Sequence, residues 1–172
     1  MKPLIETRLH PSLSRLGVTL RCEEDSDGEW LAELYACNRA VELTGVPWPG
    51  TVKAHFIATQ FKLQAAHFAT NHPQADRLIL LVEGERAGRL YVDRSRRSWR
   101  LMEIGIAAHH QSKGIGTALV RWLQREGRRE GIDLHVARDN PRALRLYARL
   151  DFVIADDGSQ THFRMTWPPR VS

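Results

Sequence analysis

A segment that runs from a strand through a glycine-containing turn into a helix, over residues 104–119, places the strongest constraint on this chain. It reads IGIAAHHQSKGIGTAL, with apolar residues up to Ala108 and two glycines, Gly114 and Gly116, where an amphipathic helix begins. The first N–H groups of a helix have no partner within it, and the helix dipole makes that end positive. Glycine lets the backbone approach a bound group because it has no Cβ. The segment therefore predicts an anion site suited to a pyrophosphate.

Two common phosphate-binding loops do not match this segment. A Walker loop needs GxxxxGK[ST], whereas Lys113 precedes the glycine here and no acidic residue is placed to ligate Mg²⁺. A dinucleotide-binding GxGxxG would have its third glycine where Leu119 stands, and leucine would obstruct close helix–strand packing. Asp139, at the end of the next predicted strand, could still bind a ribose. On the evidence of the two glycines alone, the segment could also be an ordinary turn that binds no ligand.

The remaining pattern predicts one mixed α/β domain. The predicted elements are a strand at 18–22, helices between 25 and 71 with a break at 45–50, strands at 78–82, 87–92 and 99–108, a helix from 114, a strand at 134–137, a helix from 141, and strands at 152–155 and 161–167 around a turn at 156–158. Periodicity and turn residues support each of these. Residues 1–16 have no clean period, so we expect an irregular N-terminal arm before a domain at 17–170.

Composition narrows the classes of function. The 172 residues include 25 Lys and Arg against 20 Asp and Glu, a net charge of +5 that suits a polyanionic ligand or simply a solvated basic surface. Two cysteines, no signal-peptide pattern and no apolar run of membrane length predict a cytoplasmic protein without a membrane partner. Nucleic acid is not expected as a partner, because no groove-reading element accompanies the arginines.

Three histidines suggest a metal site, but their pattern in the sequence does not favour one. His109 and His110 are adjacent, and His135 lies on the next predicted strand. We expect neighbouring side chains to point apart, and no Cys or acidic residue completes a ligand set. The sequence therefore predicts no metal site.

Two motifs together resemble the GNAT family of N-acetyltransferases. Gln111-x-x-Gly114-x-Gly116 is similar to that family's Q/R-x-x-G-x-G/A signature, and residues 140–152, NPRALRLYARLDF, are similar to its N-x-x-A-x-x-x-Y-x-x-x-G-F element. The resemblance is strong over residues 76–167 and weaker over 18–73. One departure is Asp151 in place of the usual glycine, at a position that commonly ends a helix with positive φ.

The resemblance implies a fold and a cofactor site. The fold would be a single α/β domain with a mixed, mostly antiparallel twisted sheet, a splayed central strand pair and flanking helices. Acetyl-CoA would be the co-substrate, without a metal. The residues implied in binding it are Ile106, Ala107 and Ala108 for the pantetheine arm, Gln111, Ser112, Lys113, Gly114, Ile115, Gly116 and Thr117 for the pyrophosphate, and Asn140 near the thiol arm, with Arg142 or Arg145 as candidates for the adenosine phosphate.

The resemblance also implies direct attack of an amine on the thioester in a ternary complex. Tyr147 would protonate the departing thiolate, and Glu103 would serve as general base. A water chain could replace Glu103, which could instead pair with an arginine between 94 and 100. Tyr35 and Tyr91 could line the pocket for a small-molecule or peptide amine, or belong to the core. A homodimer through strand 161–167 is compatible with the family.

Two other hypotheses stay open at this point. The chain could be a non-catalytic CoA-binding or interaction module of the same fold, although the presence of Tyr147 argues against it. It could also be a nucleotide-binding reductase fragment, which would bind NAD rather than CoA and would need a third small residue in the glycine loop.

Overall fold

The computed structural model describes Leu4, residues 9–155 and residues 159–170. The elements in this part are α1 Pro11–Arg15, β1 Val18–Cys22, α2 Gly28–Glu42, α3 Gly50–Asn71, β2 Asp76–Val82, β3 Glu85–Asp93, β4 Trp99–Ile106, α4 Ile115–Glu126, β5 Ile132–Ala137, α5 Pro141–Ala148, β6 Val153–Ala155 and β7 His162–Trp167. The predicted turn at 156–158 lies outside the described residues. Among the described helices, none combines the length and apolar character that crossing a membrane requires.

The seven strands form one mixed sheet in the order β1-β2-β3-β4-β5-β7-β6. Neighbouring strands pair antiparallel except β4 and β5, which pair parallel. The predicted mixed, mostly antiparallel sheet flanked by helices is confirmed. Strand β7 lies between β5 and β6, so β6 forms the sheet edge at this end. Homodimer formation stays a prediction, and any edge pairing here would use β6 rather than residues 161–167.

The central strand pair opens towards its carboxyl ends. Pairing between β4 and β5 covers only Trp99–Leu101 opposite Ile132–Leu134, although β4 continues to Ile106 and β5 to Ala137. On the other side of β4, the register with β3 shifts around Met102, because Tyr91 pairs with Glu103 and Val92 with Leu101. A bulge of this kind increases local twist and bends the strand away from its neighbour. The predicted splay is therefore present.

Helices cover both faces of the sheet. The apolar residues of α4 recur at helical spacing and are all buried, in one cluster with Leu80 and Leu90 of the sheet. Side chains alternate along a strand, so Ile79 and Tyr91 point to the opposite face, where α2 and α3 bury Leu34 and Ile57. This arrangement leaves the N-terminus of α4 beside the opening between β4 and β5.

The segment before β1 is more ordered than the sequence suggested. Residues 11–15 form α1, and the ring of His10 caps its start by accepting a hydrogen bond from Ser12 N at 3.2 Å. Pro11 is tolerated in this first turn because its missing N–H would have no partner there. Leu13 is fully buried in the same cluster as α4. The expectation of an irregular arm is wrong for residues 11–15, and the boundary at residue 16 stays a prediction.

Strands β3 and β4 approach unusually closely next to the opening. A Cβ on Gly88 would lie 2.4 Å from the carbonyl oxygen of Gly105, so only glycine fits there. Beyond this point Ala107 N donates to Ala87 O at 2.8 Å, which extends the pairing past the end of β4. The close approach fixes one side of the segment 106–108.

Candidate functional site

The turn between β4 and α4 presents a row of backbone N–H groups. Ser112 and Gly114 adopt left-handed conformations, with φ of 62° and 84°. The first hydrogen bond of α4 runs from Ala118 N to Gly114 O at 3.0 Å. Within the described chain, the N–H groups of residues 112–117 donate to no backbone acceptor. Six such groups at the positive end of a twelve-residue helix form a concavity suited to a phosphate-bearing anion.

The side chain of Gln111 braces this turn from within. Its Nε2 donates to Ile106 O at 2.8 Å and to Asn38 Oδ1 at 3.2 Å, and its Oε1 accepts from Arg142 Nη1 at 2.8 Å. Arg142 also donates to Ser112 Oγ at 3.2 Å. Gln111 and Arg142 therefore hold the N–H row in shape. The sequence could not assign this bracing to Arg142, because α5 meets the turn only in the folded chain.

The end of β4 faces the opening with its remaining backbone groups. Ala107 N–H points towards β3, and successive N–H groups of a strand point to opposite sides. The N–H of Ile106 therefore faces the opening between β4 and β5, on the same side as its carbonyl, which Gln111 engages. A donor at this position could stabilise negative charge that develops on an oxygen in the opening.

Helix α5 is fixed at its start by Asn140. The side-chain oxygen of Asn140 accepts from Ala143 N at 3.0 Å, and Pro141 occupies the tolerated first helical position. Capping alone accounts for an asparagine here. The predicted contact of Asn140 with a cofactor stays a prediction.

The C-terminus of α5 is closed by hydrogen bonds that require the spacing seen between Tyr147 and Phe152. Phe152 N donates to Tyr147 O at 3.1 Å and Asp151 N to Ala148 O at 3.2 Å, the two bonds of a Schellman motif. Asp151 has φ of 65°, as its alignment with a family glycine predicted. The Phe152 ring packs edge-on against Tyr147 at 5.5 Å between ring centres. The motif thus fixes the position of Tyr147, which is predicted to protonate the departing thiolate.

Tyr147 is placed to keep its proton. Its side chain is half-buried, and burial raises the pKa of the phenol, with the negative charge of Glu103 raising it further. Within the described residues, no group hydrogen-bonds this hydroxyl. The phenol is therefore protonated at neutral pH and has an unused donor, and it lies within electrostatic reach of Glu103.

Glu103 belongs to a small polar network on the α3 side. Its Oε2 accepts from Gln64 Nε2 at 3.2 Å, and its Oε1 lies 3.5 Å from Arg89 Nη2. Arg89 in turn donates to Gln64 Oε1 at 2.7 Å. One quarter of the Glu103 side chain remains exposed, so the carboxylate is held in place yet reachable.

The arginines between 94 and 100 do not supply the partner of Glu103. Arg94 pairs with Asp76 and Arg100 with Asp133, each at 2.6 Å. The alternative that Glu103 pairs with an arginine of this turn is therefore wrong. This turn lies at the start of β4, and a bulge at Met102 separates it from Glu103.

Arg89 was not among the residues singled out from the sequence. It is 3% exposed, and its guanidinium carbon lies 5.1, 5.8 and 5.9 Å from the ring centres of three aromatic residues. These are Tyr91, Tyr35 and Phe61, in that order of distance. Cation–π contacts of this kind stabilise a charge that has lost most of its water.

Tyr91 also donates a hydrogen bond to Glu23. Burial is the main cause that raises the pKa of Tyr91, and this hydrogen bond raises it further. Tyr35 and Tyr91 thus form the wall around Arg89.

The two adjacent histidines do not diverge as expected. Their ring centres lie 4.1 Å apart, because Ala108–His110 form a 3₁₀ turn and not an extended strand. Burial, with the charges of His109 and Lys113, lowers the pKa of His110. Among the described residues, no group of three or more His, Cys, Asp or Glu side chains is arranged to hold a metal ion.

Comparison with known proteins places these features in a family. Residues 37–152 match the model of the acetyltransferase (GNAT) family. A PaiA N-acetyltransferase from Thermoplasma acidophilum, solved with coenzyme A, has a similar structure with a TM-score of 0.65 at 15% identity, covering 87% of this chain and 97% of its own. An acetyltransferase from Thermus thermophilus gives a TM-score of 0.65 at 18% identity, covering 89% and 97%.

A third similar structure is a spermidine N-acetyltransferase from Vibrio cholerae in complex with CoA and spermine. Its TM-score is 0.59 at 24% identity, covering 88% of this chain and 95% of its own. At these identities the structural matches establish the fold, while the family match covers well over half of the chain.

Proposed function

Because the chain belongs to the acetyltransferase (GNAT) family, we propose that it transfers an acetyl group from acetyl-CoA to an amine in a ternary complex. One observation carries this proposal: the N–H groups of residues 112–117 donate to no backbone acceptor in the described chain, at the start of α4 and beside the point where β4 and β5 part. The CoA complexes of the Thermoplasma and Vibrio proteins support the same cofactor.

The residues present fit coenzyme A. The N–H groups of 112–117 would hold the diphosphate, and exposed Lys113 would add a positive charge. The segment 106–108 would pair with the pantetheine arm through backbone groups that face the opening, with Asn140 beside the arm. Acetyl-CoA supplies a thioester carbonyl that an amine can attack directly, so no nucleophilic side chain is required.

Glu103 and Tyr147 provide the two proton transfers. Glu103 accepts the proton that the ammonium group must lose before its nitrogen attacks the acetyl carbon, and Ile106 N–H stabilises the oxyanion that forms. Tyr147 donates its proton to sulfur as the carbon–sulfur bond breaks, and the tyrosinate regains a proton from the nitrogen that becomes the amide. A phenol whose pKa is raised by burial and by Glu103 retains its proton until that step.

The acceptor is proposed to be a primary amine on a small molecule or a peptide. Glu42, at the end of α2, lies within electrostatic reach of both Glu103 and Asp139. Burial raises the pKa of Glu42, and these neighbouring negative charges contribute to the shift. Glu42 pairs with Arg39 and Glu103 with Arg89, so these carboxylates give a modest preference for a cationic substrate. The spermine complex of the Vibrio enzyme supports the same class.

Thermal melting is the first test. Acetyl-CoA, CoA, NAD and ATP are compared side by side, and a ligand at 100 times its Kd should add about 2.7 kcal/mol to the free energy of unfolding. Stabilisation by acetyl-CoA and CoA alone supports the proposal. Stabilisation by NAD alone would favour the reductase hypothesis instead.

Tyr147→Phe separates an enzyme from a CoA-binding module. The variant removes only the hydroxyl, so we expect CoA affinity within a factor of two of wild type and kcat lower by roughly 10² or more. Thiol release with a panel of amines gives kcat, and calorimetry gives affinity. A wild-type protein that binds CoA and acetylates no amine would support the non-catalytic module.

A further inference from the structure

A cavity adjoins the N–H row at residues 113–117. It has a volume of about 400 Å³ and is lined by Ser12, Arg15, Leu16, Lys113, Gly114, Thr117, Ala118 and Arg121. The α4 residues and Gly114 follow the spacing of one helix face. The opposite wall is α1 and the residue after it. The cavity is therefore a groove between α1 and α4 that starts at the turn between β4 and α4.

The lining of this groove carries three positive charges and no acidic residue. Arg15, Lys113 and Arg121 are all exposed, and within the described residues none of them forms a hydrogen bond or an ion pair through its side chain. Elsewhere in the described chain, arginines such as Arg21 and Arg100 have carboxylate partners within 2.7 Å. Three unpaired cations around one concavity attract an anion, and a bound dianion would relieve their mutual repulsion.

We propose that this groove binds the 3′-phosphate on the ribose of CoA, with Arg15 and Arg121 as its ligands; the inference rests on the proposed function. The groove shares Lys113, Gly114 and Thr117 with the N–H row at 112–117. The nucleotide end of CoA, bound there through its diphosphate, would therefore extend directly into the groove. The ribose phosphate is the one remaining anionic group of CoA. Guanidinium groups suit it because their N–H donors match phosphate oxygens in pairs.

The other arginine near the turn is already engaged. Arg142 donates to Gln111 and Ser112, so its two terminal nitrogens hold the turn. Arg15, by contrast, projects from a helix that buried Leu13 fixes against the core. The N-terminal segment, which lies outside the family match at 37–152, would thus complete the cofactor site of this chain.

Calorimetric titration with CoA and with 3′-dephospho-CoA tests the assignment without an activity assay. We expect wild type to bind CoA more tightly than 3′-dephospho-CoA. Arg15→Ala and Arg121→Ala should each weaken CoA roughly three- to tenfold and leave 3′-dephospho-CoA unchanged, since a partly exposed charged hydrogen bond is lost. Arg97→Ala, an exposed arginine in the β3–β4 turn, is the charge-matched control and should preserve the ratio of the two affinities.

The outcomes separate this inference from the proposed function. Equal affinity of wild type for the two ligands, or equal weakening of both in Arg15→Ala and Arg121→Ala, overturns the phosphate groove while CoA binding stands. Failure of wild type to bind either ligand overturns the proposed function and this inference with it. Both substituted side chains are exposed, and melting curves of the unliganded variants confirm folding.

Discussion

At the scale of single residues, the burial of Arg89 beside Glu103 changes how the candidate base is understood. In the sequence, Arg89 alternates with Gly88 and Leu90 along a strand, as a solvent-facing residue would. In the folded chain, α2 and α3 cover it with aromatic rings, and Gln64 joins it to Glu103. The carboxylate therefore has a fixed positive neighbour, which also orients it.

Glu103→Gln tests the base. Glutamine is nearly isosteric and can still accept from Gln64, so we expect CoA affinity to stay unchanged while kcat/KM falls by roughly 10²–10⁴. Steady-state kinetics of thiol release measure kcat/KM, and calorimetry measures CoA affinity. A variant that keeps the wild-type kcat/KM would assign the proton transfer to a water chain.

At the scale of elements, the end of α5 combines a motif position with local strain. Asp151 holds φ of 65° inside the Schellman motif and is exposed, with Arg170 Nη2 at 3.4 Å as its ion-pair partner. We expect Asp151→Gly to raise the free energy of unfolding by roughly 1 kcal/mol, because glycine adopts this conformation without steric cost. Urea denaturation measures the change, and Arg170→Ala is the control for the ion pair. Lower stability in Asp151→Gly would mean that the charge matters more than the backbone.

The start of α2 is fixed by a buried carboxylate. Asp27 is 1% exposed and accepts from both terminal nitrogens of Arg21 at 2.7 Å and from Glu24 N at 2.9 Å. The hydrogen bonds from Arg21 are the main reason that the pKa of Asp27 lies far below its ordinary value of 3.8. A carboxylate whose pKa is lowered by folding contributes stability that is fully present above its unfolded-state pKa. That contribution is lost as the pH falls from the unfolded-state pKa through the lower folded-state pKa.

Asp27→Asn should therefore lower stability at neutral pH by roughly 1–3 kcal/mol. The difference from wild type should shrink as the pH falls below about 4, where the unfolded-state carboxylate takes up its proton. Urea unfolding at several pH values measures it. Asp25→Asn, an exposed acid in the same turn, should have little effect at any pH. A difference that stays constant with pH would contradict the electrostatic account.

At the scale of the whole molecule, the N-terminal segment forms part of the core. Leu4 and Leu13 are fully buried with α4 and the sheet. Leu13→Ala should lower the free energy of unfolding by roughly 2–4 kcal/mol, because it removes buried methyl groups and leaves a cavity. Chemical denaturation measures the loss, with Leu63→Ala on exposed α3 surface as control. If Leu13→Ala left the stability unchanged, the N-terminal segment would instead be a loosely docked arm.

Features set by neighbouring residues could be predicted from the sequence. The N–H row at 112–117, the apolar stripe of α4, the cap at Asn140 and the positive φ of Asp151 all depend on local backbone geometry and periodicity. The succession of strands along the chain and the antiparallel pairing of β2, β3 and β4 followed from run lengths and turns. These features specify the turn with the N–H row and the helix that carries Tyr147, since a few adjacent residues suffice to form each.

Features that join distant parts of the chain were decided only by tertiary packing. Glu103 meets Gln64 across 39 positions, and Tyr91 meets Glu23 across 68. Burial of Arg89 needs two helices to close over β3, and the groove at Arg15 needs α1 to dock on α4. Periodicity indicates which face of an element is apolar, but not which element covers it or in what register. The turn with the N–H row at 112–117 was therefore determined by sequence, whereas the partners of Glu103 and the groove between α1 and α4 depend on how the helices pack on the sheet.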